Sequence, residues 1–152
     1  MTGALGGIRV VDLSTGIAGS ITTMLLADQG AEVTKVEPPG GDPTRRTESG
    51  ARVWARGKRS AVLDLDDATD RESLLQLLDR ADVLVESFAV GEAARLGLDW
   101  ETLRARNPRL VHCSITAYGR HVGLEDRPAI DALVAARTGL HWEQRGWVGT
   151  SI

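Results

Sequence analysis

Short apolar runs alternate along this chain with segments in which apolar residues recur at helical spacing. The apolar runs predict buried strands at 8–13, 31–37, 61–65, 82–88 and 109–115. The segments between them predict helices at about 20–30, 69–81 and 99–107, and a last helix that opens at Pro128. Because strands alternate with helices, we expect an α/β fold: a Rossmann-like, doubly wound and mainly parallel sheet with helices on both faces.

Capping signals predict where three of these helices begin. Ser20 is a candidate N-cap of the first helix, and Asp99 of the third. Thr69 and Glu72 have the spacing of a capping box, in which each side chain satisfies a free backbone N–H at the helix start. After Gly139 neither period continues. We therefore expect an incomplete Rossmann-like domain over 1–140 and an irregular tail over 141–152, where the chain is truncated.

Composition narrows the class of protein. The 152 residues are 42% hydrophobic, enough for one domain with a sizeable core, and the net charge of −3 argues against a nucleic-acid partner. No apolar run approaches the roughly 20 residues that span a bilayer, and the N-terminus does not resemble a signal peptide. The single cysteine, Cys113, cannot form an internal disulfide. We expect a cytoplasmic protein without a membrane partner.

Positive charge is concentrated between residues 45 and 59, where six cations accompany one acid, Glu48. Such a loop could bind a polyanionic ligand, or it could be a solvated loop that keeps the protein soluble. Trp54 is the only aromatic ring there, so the loop lacks the stacking platforms of a single-strand binder.

The loops that follow the predicted strands are the best candidates for a ligand site, since ligands of open α/β sheets bind at the carboxyl ends of strands. The first loop, STGIAGS, places Gly16 and Gly19 ahead of a helix, but the dinucleotide fingerprint is incomplete. Glu37 lies about 20 residues beyond Gly16, the spacing of a ribose-binding acid. A nucleotide site and a plain tight turn both remain open.

Other catalytic patterns are absent. The three histidines have no metal-ligand spacing with Cys113, so we expect no metal. There is neither a nucleophile elbow nor a Walker loop. Asp131 lies in the first turn of the last predicted helix, where the helix dipole stabilises an acid.

Several blocks in order resemble the class III CoA-transferases, the CaiB/BaiF type. They are GIRVVDLS, LLADQGAEVTKVEPPGGDPTR, RGKRSAVLDL, ADVLVESF, RLGLDWETLRARNPRLVHCSIT and RPAIDALVAARTGL. This family includes formyl-CoA and carnitine CoA-transferases and α-methylacyl-CoA racemases. The resemblance covers about residues 7–140, the N-terminal portion of a family whose members are much longer.

The resemblance implies that this chain binds coenzyme A or an acyl-CoA as substrate, with a carboxylic acid as second substrate, and that full-length members form interlocked homodimers. It also implies which residues contact CoA: Gly16, Ile17, Ala18, Leu63, Ser87, Phe88, Arg95 and Leu96. Pro38 and Asp66 depart from the family pattern, because some members have a basic residue at these positions.

The resemblance also implies that the catalytic residue lies outside this chain. Family members use an aspartate that attacks the acyl-CoA thioester and forms a mixed anhydride, and its expected place is beyond Ile152. Racemases have a histidine where this chain has Ile130, so acyl transfer is favoured over racemisation. We therefore expect the N-terminal portion of a CoA-transferase, inactive alone.

Three alternatives remain open. One is a non-catalytic module that binds NAD or an adenine nucleotide against Glu37. Another is a relative of the acyl-CoA racemases, which Ile130 disfavours. The third is a truncated or decayed gene product without activity.

Overall fold

The computed structural model describes residues 3–46, 50–119, 123–124, 127 and 129–140, and divides the chain into two compact units, 1–115 and 116–152. The first unit contains the strands β1 (Arg9–Asp12), β2 (Glu32–Glu37), β3 (Lys58–Val62), β4 (Val83–Glu86) and β5 (Val111–Ser114). Its helices are α1 (Ile17–Asp28), α2 (Ala68–Leu78), α3 (Glu92–Arg95) and α4 (Trp100–Arg106). The loop between β2 and β3 adds a 3-10 turn (Pro43–Arg46) and a π-helical turn (Gly50–Trp54).

The five strands form one parallel sheet in the order β3-β2-β1-β4-β5. The chain moves outward from β1 to β3 on one side and then returns to build β4 and β5 on the other. Loops after β1 and β4 therefore diverge at a topological switch point, where sheets of this kind bind ligands. The predicted Rossmann-like, doubly wound fold is confirmed.

Apolar residues on alternate strand positions build a core on each face of the sheet. On one face, Val11 and Leu84 pack with Leu74 and Leu78 of α2 and with Leu103 of α4. On the other face, the buried cluster is Val10, Ala31, Val33 and Val85, and it packs against Leu26 and Ala27 of α1. Because the central strands are buried on both faces, their residues form nearly continuous apolar runs in the sequence.

Two predicted caps are wrong. The helix α1 begins at Ile17 with Gly16 as its N-cap, and Ser20 is a buried residue inside it. The helix α2 is capped by Asp67, whose side chain accepts hydrogen bonds from the backbone N–H groups of Thr69 and Asp70. The predicted box fails because Asp67 supplies an acceptor two residues before Thr69. Asp99 is confirmed as the N-cap of α4.

The third strand also differs from its prediction. It runs over Lys58–Val62 instead of 61–65, because its ladder with β2 begins where Lys58 pairs with Val33. As an edge strand it is mostly exposed, so its polar residues give no apolar run. The short helix α3 was not predicted.

In the second unit, the described helix is α5 (Asp131–Arg137), and Asp131 lies in its first turn as predicted. Pro128 and the predicted tail at 141–152 lie outside the described residues. Among the described helices, none is both long and apolar enough to cross a membrane.

Candidate functional site

A groove of about 240 Å³ lies at the carboxyl edge of the sheet, among the loops that follow β1, β2, β3 and β4. Five of the eight residues predicted to contact a ligand line this groove although they come from separate segments of the chain: Leu63, Ser87, Phe88, Arg95 and Leu96.

The other three predicted residues lie at the start of α1. Gly16 caps the helix, and Ile17 and Ala18 form its first turn. They are not among the residues that line the groove, but Thr15, immediately before them, is. The structure therefore places this triplet beside the groove.

The groove also has lining residues that sequence reasoning missed. They are the apolar Leu13 and Val36 and the acidic Glu92. Their position at or just after the carboxyl ends of strands, or at the start of a short helix, was the available signal. No residue pattern distinguishes them from ordinary loop residues. Asp64 and Leu65 also line the groove, at the carboxyl end of the third predicted strand, where a ligand was expected.

Hydrogen bonds shape the loop after β1. Oδ1 of Asp12 accepts from the backbone N–H of Ser14 at 3.0 Å and from its hydroxyl at 2.6 Å. The backbone N–H of Thr15 donates to Oγ of Ser87 at 2.8 Å, and the Ser87 hydroxyl donates to the carbonyl of Thr15 at 3.2 Å. Ser87, predicted as a ligand contact, thus ties the loops after β1 and β4 together.

Two glycines allow this loop to turn into α1. Gly16 has φ 81°, a left-handed conformation that residues with a Cβ rarely adopt. Gly19 lies so close to the side chain of Ser14 that a Cβ would collide with it. The glycines of STGIAGS therefore have conformational and packing reasons to be there.

Below this loop lies a buried ion cluster, which consists of Asp12, Lys35, Asp42 and Lys58. Nζ of Lys35 lies 3.3 Å from Oδ1 of Asp12 and 3.2 Å from Oδ2 of Asp42, and it also donates to the carbonyl of Ser14. The Lys35 side chain is 8% exposed and that of Asp12 is fully buried. One ammonium therefore joins β1 and β2 to the loops that follow them.

Lys58 completes the buried ion cluster from the edge strand. Its Nζ donates to Oδ2 of Asp12 at 3.1 Å, to Oγ1 of Thr23 at 2.6 Å and to the carbonyl of Ser20 at 2.9 Å. Burial lowers the pKa of Lys58, and the charge of Asp12 only partly opposes this. Lys58 thereby anchors β3 to α1.

Glu37, the candidate ribose acid, is engaged inside the protein. The guanidinium of Arg45 bonds both of its carboxylate oxygens, the N–H of Asp42 donates at 3.0 Å and the Ser60 hydroxyl at 2.8 Å. The hydrogen bond from Arg45 is the main reason that the pKa of Glu37 falls to about 2. Glu37 organises the loop after β2.

Four of the six cations between residues 45 and 59 are also engaged within the fold. Besides Arg45, ion pairs join Arg56 to Asp28 at 2.5 Å and Arg59 to Glu32 at 3.9 Å. Lys58 is in the buried ion cluster. These four cations neutralise acids of this chain, so the charge count overstated the positive charge available to a ligand.

The aromatic ring of Phe88 lines the groove, and contacts with the rest of the protein hold this residue in position. Its backbone N–H donates to Oε2 of Glu86 at 2.7 Å, and its ring packs against the core cluster that contains Leu84. Leu63 and Leu65 pack against the same cluster. This wall of the groove offers an apolar surface suited to a flat ring or an aliphatic chain.

Arg95 and Asp66 form an ion pair at the groove. Nη1 of Arg95 lies 2.7 Å from Oδ1 of Asp66, and both side chains are largely exposed. The hydrogen bond from Arg95 lowers the pKa of Asp66. Glu92, one turn before Arg95, lies 3.9 Å from its guanidinium.

Within the described ranges, no group of three or more His, Cys, Asp or Glu side chains is placed to hold a metal ion. Cys113 is partly buried and packs against the second core cluster, as expected for a small apolar residue. The described part of the site combines an apolar wall, hydrogen-bonding loops, one arginine and several carboxylates. The wall can bind a flat ring, and the arginine can bind an anionic group of a ligand.

Comparison with known proteins shows which family this chain resembles. A family model described as CoA-transferase family III matches residues 5–150. The chain is 40% identical over 146 residues to the "Probable fatty acyl-CoA transferase Rv3272" of Mycobacterium tuberculosis, with 90% of this chain and 37% of the relative covered. It is 40% identical over 154 residues to the succinyl-CoA:mesaconate CoA-transferase of Haloarcula hispanica, with coverage of 91% and 39%.

Solved structures show the same likeness. A crystal structure of Rv3272 from Mycobacterium tuberculosis superposes with a TM-score of 0.87 at 37% identity, over all of this chain and 43% of that one. A CaiB/BaiF family protein from Brucella suis gives 0.86 at 35% identity, over 91% and 40%. The chain thus spans about 40% of the length of these relatives.

Proposed function

Because this chain belongs to CoA-transferase family III and corresponds to the N-terminal portion of its members, we propose that the groove at the carboxyl edge of its sheet binds the CoA part of an acyl-CoA. One observation supports this most: Leu63, Phe88 and Arg95, from three separate segments, line one groove at the switch point of the sheet. An apolar wall with one guanidinium suits a ligand that combines an adenine ring, an aliphatic arm and phosphates.

Different residues of the groove contact different parts of CoA in this proposal. Phe88 and Leu63 contact the adenine or the pantetheine arm, and Arg95 donates charge-assisted hydrogen bonds to a phosphate. The loop from Thr15 to Ala18 lies beside the groove and leads into α1, whose first N–H groups have no side-chain cap. The buried ion cluster holds this loop in place, and its member Asp42 also lines the groove.

The reaction we propose for the whole protein is transfer of CoA from an acyl-CoA thioester to a carboxylic acid. In it, an aspartate carboxylate attacks the thioester carbonyl, the C–S bond breaks, and the CoA thiolate leaves while a mixed anhydride forms. The thiolate then attacks the aspartyl carbonyl of this anhydride, which releases the donor acid and leaves CoA on the aspartate as a thioester. The acceptor carboxylate reverses these two steps, which gives the new acyl-CoA and the free aspartate. The role of residues 1–152 is to bind and orient CoA. We propose that these residues alone do not catalyse the transfer, because the resemblance places the nucleophilic aspartate beyond Ile152.

The contacts of Glu37 support CoA over NAD. A ribose-binding acid needs a free carboxylate oxygen for the ribose hydroxyls, whereas Arg45, Ser60 and the N–H of Asp42 occupy both oxygens of Glu37.

Partners and location are also part of the proposal. We propose that the whole protein forms a homodimer, as the resemblance implies. Two valines on the edge strands are exposed, Val62 at 61% and Val111 at 60%. Such apolar residues support the proposal that further protein surface covers these edges. The single cysteine, Cys113, is consistent with a reducing cytoplasm.

Calorimetric titration of the 152-residue chain with CoA and with NAD tests the proposed ligand. We expect CoA to bind and NAD not to bind. Phe88→Leu, which keeps an apolar side chain but removes the ring, should weaken CoA binding by roughly tenfold. Val90→Ala is the matched control, since Val90 is 62% exposed in the same loop and does not line the groove. CoA binding that is unchanged in Phe88→Leu would contradict the proposed site.

A further inference from the structure

The charges that line the groove are mostly negative, although the proposed ligand carries phosphates. Among the described residues lining it, Arg95 is the only cation. The acidic lining residues are Glu37, Asp42, Asp64, Asp66 and Glu92. Glu37 is paired with Arg45 and Asp42 with Lys35, so three acids remain near one arginine.

The guanidinium of Arg95 is already in an ion pair within the protein. Its Nη1 lies 2.7 Å from Oδ1 of Asp66, a residue from the loop between β3 and α2, 29 positions earlier in the chain. The side chains are 58% and 73% exposed, so a ligand in the groove can reach both. An incoming anion therefore meets a guanidinium that already has a carboxylate partner.

We propose that the carboxylate of Asp66 competes with the ligand's phosphate for the guanidinium of Arg95 and so sets the affinity of this groove for phosphorylated ligands. This inference rests on the proposed CoA site. Binding exchanges one ion pair of Arg95 for another and leaves the Asp66 carboxylate close to a phosphate, which repels it. A ligand without phosphates does not need this exchange.

Among the described residues, the Asp66 side chain is not needed to form α2 or the turn before it. The N-cap of α2 is its neighbour Asp67, and the turn uses the backbone N–H of Asp66, which donates to Oδ1 of Asp64. Replacement of the Asp66 side chain should therefore leave the fold intact. Because Arg95 lowers the pKa of Asp66, the competing carboxylate stays ionised at neutral pH.

The test compares Asp66→Asn with the wild-type chain in calorimetric titrations with CoA and with pantetheine, which has no phosphate. We expect CoA to bind about fivefold more tightly to Asp66→Asn, the upper range for loss of an exposed ion pair, and pantetheine to bind equally to both. The gain should shrink at high salt and disappear when Arg95→Gln is also present.

A matched control separates this effect from net charge. Glu32→Gln removes one negative charge from another exposed ion pair with an arginine, at the amino end of β2 and away from the groove. We expect this variant to bind CoA like the wild type. An equal gain in Glu32→Gln would overturn the proposed competition in favour of a net-charge effect.

The remaining outcomes distinguish this inference from the proposed function. If wild type and Asp66→Asn bind CoA equally, or if Asp66→Asn also binds pantetheine more tightly, competition for Arg95 is wrong and the CoA site stands. If only Asp66→Asn binds CoA measurably, competition is supported in its strongest form. If neither protein binds CoA, both the site and the competition are wrong.

Discussion

Two sets of ion pairs share the carboxyl edge of this sheet and differ in their access to water. In the buried ion cluster, the side chains of Asp12, Lys35 and Lys58 are at most 8% exposed. In the groove, those of Arg95 and Asp66 are 58% and 73% exposed. The same kind of interaction therefore has two roles: the buried pairs fix the shape of the site, and the exposed pair is open to exchange with a ligand.

Desolvation explains the difference. A buried charge that loses its partner has neither water nor an opposite charge to stabilise it, so removal of one member is costly. An exposed charge that loses its partner is solvated again, so the fold hardly responds. Stability measurements should thus respond to the buried ion cluster, and binding measurements to Arg95 and Asp66.

The largest effect is expected from Asp12→Ala. This change leaves the ammonium groups of Lys35 and Lys58 buried without their shared carboxylate, and we expect a loss of about 3–5 kcal/mol in the free energy of unfolding. Urea denaturation followed by circular dichroism measures it. The control is Asp28→Ala, which breaks the exposed pair with Arg56 and should change stability much less. Equal losses in both variants would erase the distinction between buried and exposed pairs.

A smaller effect is expected from the acid titration of Glu37, whose carboxylate is buried while its partner Arg45 is half exposed. The pKa of Glu37 is about 2 in the folded state and near 4.5 when unfolded. The unfolded state therefore binds the proton first as pH falls, so the stability from this pair is present above about pH 4.5 and lost toward pH 2.

We expect Glu37→Gln to flatten the dependence of unfolding free energy on pH between about 4.5 and 2, by roughly 1 kcal/mol after allowance for solvent around Arg45. Urea denaturation at several pH values measures this slope. A slope in Glu37→Gln as steep as that of the wild type would show that Glu37 is not held by Arg45.

The smallest effect on stability is expected from Arg95→Gln, which breaks the exposed pair with Asp66. Its melting temperature should stay within about 2 °C of the wild type, while its CoA affinity falls by roughly tenfold because one charge-assisted hydrogen bond is lost. Thermal melting and calorimetric titration measure the two quantities. Arg59→Gln, in another exposed pair, should change neither. A large drop in melting temperature for Arg95→Gln would give the arginine a structural role instead.

Sequence reasoning succeeded for the parts of this fold whose signals are local. Val10, Val11, Leu84 and Val85 are buried between two layers of helices, so their apolar character identified the central strands. The edge strand β3 was misplaced because its exposed residues need not be apolar. The cap of α2 was misplaced because Asp67 and Thr69 are both good N-cap residues and only the backbone shows which one begins the helix.

The candidate site was only partly predictable because its decisive contacts are long-range. A family resemblance suggested Leu63, Phe88 and Arg95, and the groove brings them together. No sequence spacing indicates that Lys58 reaches Asp12 across 46 positions, or that Arg95 is paired with Asp66. Charge counts therefore showed where cations are but not which of them a ligand can use.

The most direct test of the CoA site is a titration of the 15N-labelled chain with CoA, followed by chemical-shift mapping. We predict that the largest amide shifts occur at Leu63, Ser87, Phe88 and Arg95, with smaller shifts at 15–18 and little change around Glu32 at the opposite edge. Absence of shifts in the groove at saturating CoA, or an equal response there to NAD, would contradict the proposed CoA site.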